Sequence, residues 1–462
     1  MADVAIVTLG CPKNSVDSEN LAGLIARSGH RVSDTPDAAD VVVVNTCGFI
    51  DPARRETVDE VLQLAELKSE GRMKALVLSG CLVARSGPEL ASALPEVDAL
   101  VDFAAYPRIG EIVGEAADGT LTQRIFGDPG TRFDPAWWDA SMQASPRIRF
   151  GRAPWSYLKI AEGCDRGCTF CAIPLMRGKF VSRPPEIIET EARQLVTQGV
   201  SELSLVSQDS VMWGRDIGAG NLSSLIGRLG SIDGLRRIRL MYLHPQGVTD
   251  ELIDTICGSD VVVSYFDLSL QHVAPRVLRG MGRWGSRPRF ERMIERIRAL
   301  DPLAGVRATF ILGFPGETDA EAREVEAFVA ESGLDWIGVF TYSREEGTRS
   351  HHLPDQIDDV VARERADRIA MEAERAMERR AGAIVGHTLE VLAERRDPKT
   401  GVWTGRSHRE APEVDGEIRF TADSPLTVGD YISVTITETD GVDLVGKADS
   451  LLFFDAGRSK PN

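Results

Sequence analysis

WSYLKIAEGCDRGCTFC, residues 155–171, runs a strand-like stretch into a glycine-bearing loop that carries Cys164, Cys168 and Cys171. The spacing is C-x3-C-x2-C, three thiols within eight residues. Three thiolates can ligate three irons of a [4Fe–4S] cube, which leaves the fourth iron open to a small molecule. A structural zinc site is the competing reading, but it wants four ligands, and the nearest histidine to the triplet is His244. A set of inert buried thiols is a third reading that this spacing disfavours.

Outward from that loop, the chain alternates short apolar runs with helical stretches. Strands are predicted at 157–160, 202–206, 237–242, 265–269, 307–312 and 336–342. Helices are predicted between them, for example 185–198 and 288–300, each opening on a proline that suits the first turn. Six such units over roughly 200 residues predict a partial or full TIM-like (β/α) barrel. Upstream, the runs at 4–9, 41–45 and 75–79 alternate with helical stretches at 16–28 and 52–71. That rhythm predicts a parallel sheet with crossover helices. Residues 119–149 break it with Gly, Pro, Trp137 and Trp138, and read as a linker whose tryptophans pack on neighbours. The Ala/Glu/Arg-rich stretch 356–381 predicts a helix with a solvated face. Beyond Gly382, short runs at 387–393, 416–421, 431–437 and 443–448 predict a small antiparallel β-barrel. The expected class is therefore α/β: an N-terminal domain at 2–118, a linker at 119–149, a barrel at 150–381 and a β-barrel domain at 383–456.

Cys11, Cys47 and Cys81 look unrelated until the predicted strands are considered. Each follows a strand within one or two residues: VAIVTLG before Cys11, VVVVNT before Cys47 and ALVLSG before Cys81. Strand C-terminal ends line one edge of a parallel sheet, where ligands bind. Three cysteines at that topological position predict one shared site, although a single buried Cys is often only a small hydrophobe. No fourth ligand is apparent, so a second [4Fe–4S] cluster suits the set better than zinc. The seventh cysteine, Cys257, falls in a helical run and reads as inert core. An odd cysteine count argues against a disulfide framework. No signal peptide or membrane-spanning run is read, and a cytoplasmic monomer is expected. The formal net charge of -17 opposes a generic nucleic-acid binder and favours a basic partner.

The central segment resembles the radical S-adenosylmethionine (SAM) superfamily. GCPKNSVDSEN (10–20), NTCGFI (45–50) and SGCL (79–82) resemble the N-terminal domain of methylthiotransferases. YFDLSLQHVA (265–274), ILGFPGET (311–318) and FTYSREEGT (340–348) resemble that family's barrel, and the C-terminal segment resembles its TRAM domain. The likeness covers nearly the whole chain. Within the family, CPKNS at 11–15, RLMYLHPQGVT at 239–249 and APEVDG at 411–416 resemble the RimO branch, which modifies an aspartate of ribosomal protein S-twelve. The tRNA-modifying MiaB branch usually has Gln-Met-Asn after the first cysteine. Ser269 stands where the family usually has Pro, and QDSVMWG (208–214) departs from its common Tyr-Gly ending.

The resemblance implies two [4Fe–4S] clusters, on Cys164, Cys168 and Cys171 and on Cys11, Cys47 and Cys81. One SAM would donate methyl and another would be cleaved to a 5′-deoxyadenosyl radical that abstracts hydrogen. The product would be a methylthio group on an aspartate β-carbon, made with electrons from a donor such as a flavodoxin or ferredoxin. Candidate SAM contacts are Phe170 near the adenine, Ser207, Gln208 and Asp209 at a strand end, Gln271, Arg307 facing the barrel interior, and Gly313 and Gly316 in a tight turn. Local packing, loop capping or a strained turn is the alternative for each. Residues 383–456 hold 14 acidic and 7 basic side chains, which suits a basic protein better than RNA. A tRNA adenosine methylthiotransferase and a non-catalytic cluster-bearing RNA-binding protein are the rival readings.

Overall fold

The computed structural model describes residues 1–448 apart from 34 and 128–146, so Trp137, Trp138 and the end of the C-terminal segment lie outside the described residues. Six strands form the N-terminal sheet: β1 (Asp3–Thr8), β2 (Arg31–Ser33), β3 (Val41–Thr46), β4 (Ala75–Gly80), β5 (Ala99–Val101) and β6 (Ile125–Phe126). Their order is β2-β1-β3-β4-β5-β6, and every pairing is parallel. The run Val41–Val44 is wholly buried because helices cover both faces, as parallel sheets require. Helices α1 (Pro12–Arg27) and α4 (Ile109–Asp118) share one hydrophobic face, while α2 (Asp51–Ser69) and α3 (Cys81–Ala93) cover the other.

The central region carries β7 (Trp155–Lys159), a short hairpin of β8 (Ala161–Glu162) with β9 (Val181–Ser182), then β10 (Glu202–Val206), β11 (Arg237–Leu240), β12 (Tyr265–Gln271), β13 (Gly305–Leu312) and β14 (Trp336–Thr341). Strands β7, β10 and β11 pair in parallel, as do β12, β13 and β14. Parallel bridges at Ile238–Val262 and Leu243–Leu268 join the two sets. The result is an arc of six strands in sequence order, and among the described residues nothing pairs β7 with β14. The TIM-like expectation thus resolves to the partial form. Val16 of α1 and Ala411 pack with Tyr157, Met241, Tyr265 and Trp336, so the N- and C-terminal regions fill what the open arc leaves bare.

The C-terminal strands are β15 (Thr388–Arg396), β16 (Trp403–Arg406), β17 (Ile418–Thr421), β18 (Tyr431–Asp440) and β19 (Asp443–Ala448), closed in the order β15-β16-β17-β19-β18. The expected antiparallel barrel is corrected here: β17 and β19 run parallel. Sequence periodicity yielded four strands; the fifth, Trp403–Arg406, is buried at every position and so shows no alternation. A closed ring with an odd number of strands cannot alternate direction all the way round, so one neighbouring pair must be parallel.

This barrel seals the strand-start end of the central arc with charge pairs. Glu202, the first residue of β10, accepts from Arg239 Nε at 3.2 Å and Arg406 Nη1 at 2.9 Å. Asp415 accepts from Tyr265 Oη at 2.7 Å and Arg307 Nη1 at 2.5 Å. Arg409 Nη2 donates to Asp335 Oδ1 at 2.6 Å.

Candidate functional site

Strands β1, β3 and β4 are neighbours, and Cys11, Cys47 and Cys81 stand just past their C-terminal ends. The turns there are tight. Gly10 has φ +97, and a Cβ on it would sit 2.8 Å from Cys47 Cβ. Gly80 has φ +93, and a Cβ would strike Asn45 Oδ1. A left-handed backbone with no room for Cβ is a position only glycine fills cheaply. Asn14 Nδ2 donates to the carbonyls of Leu9 (2.8 Å) and Thr46 (3.1 Å), locking two of the three loops together. Asn45 Nδ2 donates to Asn14 O and Ser18 Oγ, both at 2.9 Å.

The second triplet lies between β8 and a short helix, α5 (Ile173–Arg177). Gly163, at φ +71, presses against the Lys179 carbonyl with no space for a Cβ. Thr169 N donates to Met281 O at 2.9 Å, and Ser350 N donates to Thr169 O at 2.9 Å. Arg283 Nη1 faces Cys168 Sγ at 3.3 Å, and the Arg166 amide faces Cys164 Sγ at 3.4 Å. Arg166 Nε also donates to Asp209 Oδ2 at 2.5 Å.

One side chain ties the two triplets together. Arg177 ends the helix that begins two residues after Cys171, and it is 2% exposed. Its Nε faces Cys81 Sγ at 3.1 Å, and its Nη2 donates to Asn14 Oδ1 at 2.7 Å. Its Nη1 donates to Asp17 Oδ2 at 2.8 Å and Glu162 Oε2 at 3.0 Å, and its guanidinium stacks 4.4 Å from the Phe103 ring. Lys159 pairs with the same two carboxylates, at 2.8 Å to Glu162 and in a short contact with Asp17. Two buried cations thus meet two buried anions, the arrangement that lets charge persist away from water. Burial works against ionisation of Glu162, but Arg177 and Lys159 hold its carboxyl well below the usual range. The barrel loop at 343–348 adds another tie: Glu345 accepts from Arg85 Nη1 at 2.7 Å and the Asp51 amide at 3.1 Å.

The thiols sit in an environment suited to metal rather than to free chemistry. Burial pushes Cys81 and Cys171 up to about 12 and Cys164 to about 11, and raises Cys47. Cys11 is the exception: burial raises it, but Lys13, Arg177 and the amides of Asn14 and Lys13 more than offset that. Thiols this reluctant to ionise become thiolates when a metal takes the proton's place. Among the described residues no three His, Cys, Asp or Glu side chains stand close enough to hold a single metal ion. The donor set is three sulfurs in each triplet, with cationic Arg177 and Arg283 turned toward them. That set fits an iron–sulfur cluster with one corner left for another ligand.

The other expected site residues divide. Ser207, Gln208 and Asp209 stand past β10, near the Cys164 loop. Gln208 Nε2 donates to Glu162 Oε1 at 2.7 Å, while its Oε1 and Asp209 Oδ1 are buried without a partner, open to a polar ligand. Burial raises Asp209 against the pull of Arg166. Ser207 Oγ accepts from the Asp209 amide at 3.1 Å. Gln271 ends β12 at φ +70, a strained conformation for a residue with a side chain, and its Nε2 reaches Thr309 Oγ1 at 3.4 Å. His272 Nδ1 accepts from the Ala274 amide, and its Nε2 lies 3.5 Å from Glu317 Oε2. Phe170 packs with Met281 and Phe314. Gly316, at φ +78, gives its amide to Asp355 O at 2.8 Å. The close approach at Gly313 is to Ala362 of the helix Asp359–Gly382. Arg307 is the third residue of β13, so it faces inward near the strand-start end, where Asp415 binds it. Cys257 is partly buried against the main core. Sequence reasoning missed Asp17, Lys159, Glu162, Arg177 and Arg283. The available signal was charge in a strand buried on both faces: Lys159 and Glu162 interrupt an otherwise apolar run.

Residues 3–102 match a family described as uncharacterized protein family UPF0004, residues 158–329 match the radical SAM superfamily, and residues 385–448 match the TRAM domain. The radical SAM methyltransferase TsrM from Kitasatospora setae shares the fold at a TM-score of 0.53 and 16% identity, over 75% of this chain and 76% of that one. Fold and site together define a radical SAM enzyme with an added cysteine-bearing sheet and a TRAM barrel; SAM and iron–sulfur are its cofactors. The chain is 41% identical to a protein named ribosomal protein uS12 methylthiotransferase RimO from Streptomyces coelicolor, over 96% of each chain. It is 40% identical to the protein of that name from Geobacter sulfurreducens, over 96% of this chain and 98% of the relative. The chain belongs to the RimO family of methylthiotransferases.

Proposed function

We propose that this enzyme methylthiolates the β-carbon of an aspartate in ribosomal protein uS12, using two [4Fe–4S] clusters. The observation that carries it is Arg177: the helix that follows Cys164, Cys168 and Cys171 delivers a guanidinium to Cys81 in the other triplet at 3.1 Å. Two cysteine sites so joined suit a reaction in which radical generation and sulfur delivery share one acceptor. Residues 150–381 would generate the radical, 2–118 present the sulfur and 383–456 meet the acceptor.

When bound, the clusters supply an electron for SAM cleavage and an iron that holds the sulfur to be transferred. The chain's own residues do the rest. Cys164, Cys168 and Cys171 hold one cluster, and Cys11, Cys47 and Cys81 the other. The unpartnered Gln208 Oε1 and Asp209 Oδ1 give a bound SAM acceptors for its amino or ribose hydrogens. Phe170, partly exposed and backed by buried Met281 and Phe314, offers an apolar surface beside the cysteine thiols suited to an adenine ring. The Arg177–Asp17–Glu162–Lys159 quartet is buried between the two regions and ties them together. A C–H bond at a β-carbon yields to no acid–base residue at useful rates, which is why a radical is needed. A small flavodoxin or ferredoxin is the proposed electron source.

Anaerobic reconstitution followed by incubation with uS12, SAM, sulfide and reductant tests the reading. About eight irons per chain and a methylthio mass gain on uS12 are expected. About four irons, or a gain on bulk tRNA and none on uS12, would overturn it.

A further inference from the structure

Residues 276–292 carry six arginines and a single acid, Glu291, in a chain whose formal net charge is -17. Three of the six are matched. Arg276 pairs with Glu321, Arg287 pairs with Glu291 and Glu331, and Arg283 faces Cys168 Sγ and the Ser269 carbonyl. Arg279, Arg289 and Arg292 form no ion pair with any described carboxylate, and Arg279 and Arg292 are exposed. Burial and neighbouring Arg292 lower the Arg289 guanidinium from its ordinary value, with Asp250 the one group that opposes them. That guanidinium stands 3.3 Å over the ring of Trp284, which is 45% exposed.

This cationic segment packs directly on the Cys168 loop. Thr169 Oγ1 donates to Gly280 O at 2.8 Å, and its amide donates to Met281 O at 2.9 Å. The Gly282 amide donates to Arg279 O at 3.0 Å. Gly282 has φ +69, and a Cβ on it would sit 2.4 Å from Gly167 O and 3.5 Å from Cys168 Cα. Exposed Arg349 donates to that same Gly167 carbonyl. Gly167 and Gly282 are both exposed and carry no side chain, and Cys168 beside them is only partly buried. On this side, one thiol of the central triplet therefore lies close to the surface, beneath arginines and one exposed tryptophan.

We propose that this face, built from Arg279, Trp284, Arg289 and Arg349 around the Cys168 loop, docks a small acidic redox protein that supplies electrons one at a time. The inference rests on the radical SAM reading above and deepens it by placing the donor. The donor loses one electron and SAM gains it, breaking its C–S bond to methionine and a 5′-deoxyadenosyl radical. Electron transfer falls off steeply with distance, so the donor must come close to a cysteine of the central triplet. At Cys168 thin cover and positive charge coincide. Arg and Trp are the residues that most often carry binding energy at interfaces. Redox partners meet over small areas and must part again, so charge that speeds encounter serves them better than a large apolar contact. The chain is acidic overall, so an acidic partner is repelled elsewhere and drawn to this face. Its place over a thiol of the central triplet favours a redox protein over the other polyanion at hand, ribosomal RNA.

The test measures binding of an oxidised flavodoxin and of an oxidised ferredoxin by calorimetry, on reconstituted enzyme and on iron-free protein, at about 50 and about 500 mM salt. The wild type is compared with Arg279→Glu/Arg289→Glu and with Arg279→Lys/Arg289→Lys. Formation of 5′-deoxyadenosine is followed with each reduced donor and, separately, with dithionite. The wild type should bind at least one donor, and more weakly at high salt. The charge-reversed variant should lose about tenfold or more in affinity and in donor-driven rate, with the dithionite-driven rate unchanged, and the lysine variant should keep both. A charge-reversed variant that binds the donor as tightly as the wild type overturns the inference. So does an equal loss with dithionite, which would make these arginines structural. A wild type that binds neither donor overturns it as well, and ribosomal RNA bound through the same arginines would then name the face's partner. A wild type that binds the donor through these arginines but cleaves no SAM with any reductant supports the docking face and overturns the radical reading instead.

Discussion

Replacing Arg177 with Met removes a guanidinium while keeping much of the volume of its stem. Four polar contacts go with it, to Cys81 Sγ at 3.1 Å, Asn14 Oδ1 at 2.7 Å, Asp17 Oδ2 at 2.8 Å and Glu162 Oε2 at 3.0 Å, and so does the stacking on Phe103. Lys159 would remain as the single cation for two buried carboxylates. Breaking a buried ion pair by removing one partner costs about 3–5 kcal/mol, because the other is left uncompensated. A cooperative unit of 150–250 residues melts about 2–4 °C lower per kcal/mol, so the variant should melt roughly 6–20 °C below the wild type. Thermal unfolding followed by far-ultraviolet circular dichroism, at matched iron content, measures it. Adding Asp17→Asn should recover part of the loss, since it removes one stranded charge; a coupling of about 0.5–3 kcal/mol is expected for residues in contact. A shift under about 2 °C with no coupling would refute the claim that this quartet holds the two regions together.

Changing Cys164, Cys168 and Cys171 together to Ala should abolish 5′-deoxyadenosine formation and leave about four irons per chain; the same change at Cys11, Cys47 and Cys81 should leave SAM cleavage and end methylthiolation. Equal loss of both activities in both variants would contradict the division of labour. Gly163→Ala would force a Cβ into the Lys179 carbonyl at φ +71, so a loss of about 1–3 kcal/mol and of iron at the Cys164 site is expected by calorimetry and iron assay. Burial opposes ionisation of Glu202, but Arg406, Arg239 and Arg237 hold its carboxyl down at about 2 against an ordinary 4.5. A depressed acid stabilises the fold fully above its unfolded value and loses that as pH falls through its folded one. The Glu202 contribution, about 3 kcal/mol, should therefore vanish between about pH 4.5 and pH 2. Urea titrations should show the gap between the wild type and Glu202→Gln narrowing over that range, and a constant gap would count against the pairing.

Much of this molecule is legible in one dimension. Short apolar runs between helical stretches place β1, β3, β4 and the six barrel strands within a few residues, because burial on both faces demands unbroken hydrophobic runs. The same reading carried the convergence of Cys11, Cys47 and Cys81, since each follows a strand and parallel neighbours end on one edge. The failures have physical causes. Trp403–Arg406 is buried at every position, so alternation could not reveal it, and the parallel β17–β19 pair followed unseen. Arg307 alternates inward as expected, but alternation says nothing about depth. Near a strand's start, the inward direction points to the end that the 407–415 loop fills.

By itself the sequence determined the parts list: two cysteine triplets, the sheets that carry them, a radical SAM barrel and an acidic C-terminal domain. Spacing and period are local quantities, and local quantities suffice for those. Only the tertiary structure decided that Arg177, on the helix after one triplet, reaches Cys81 of the other, and that Lys13 lies over the Tyr242 ring. Whether a charge is paired depends on side chains brought together from distant positions, Asp17 with Lys159 and Glu162, Tyr242 with Lys13. No periodicity in the chain encodes those meetings; they are set by how the packed layers stack.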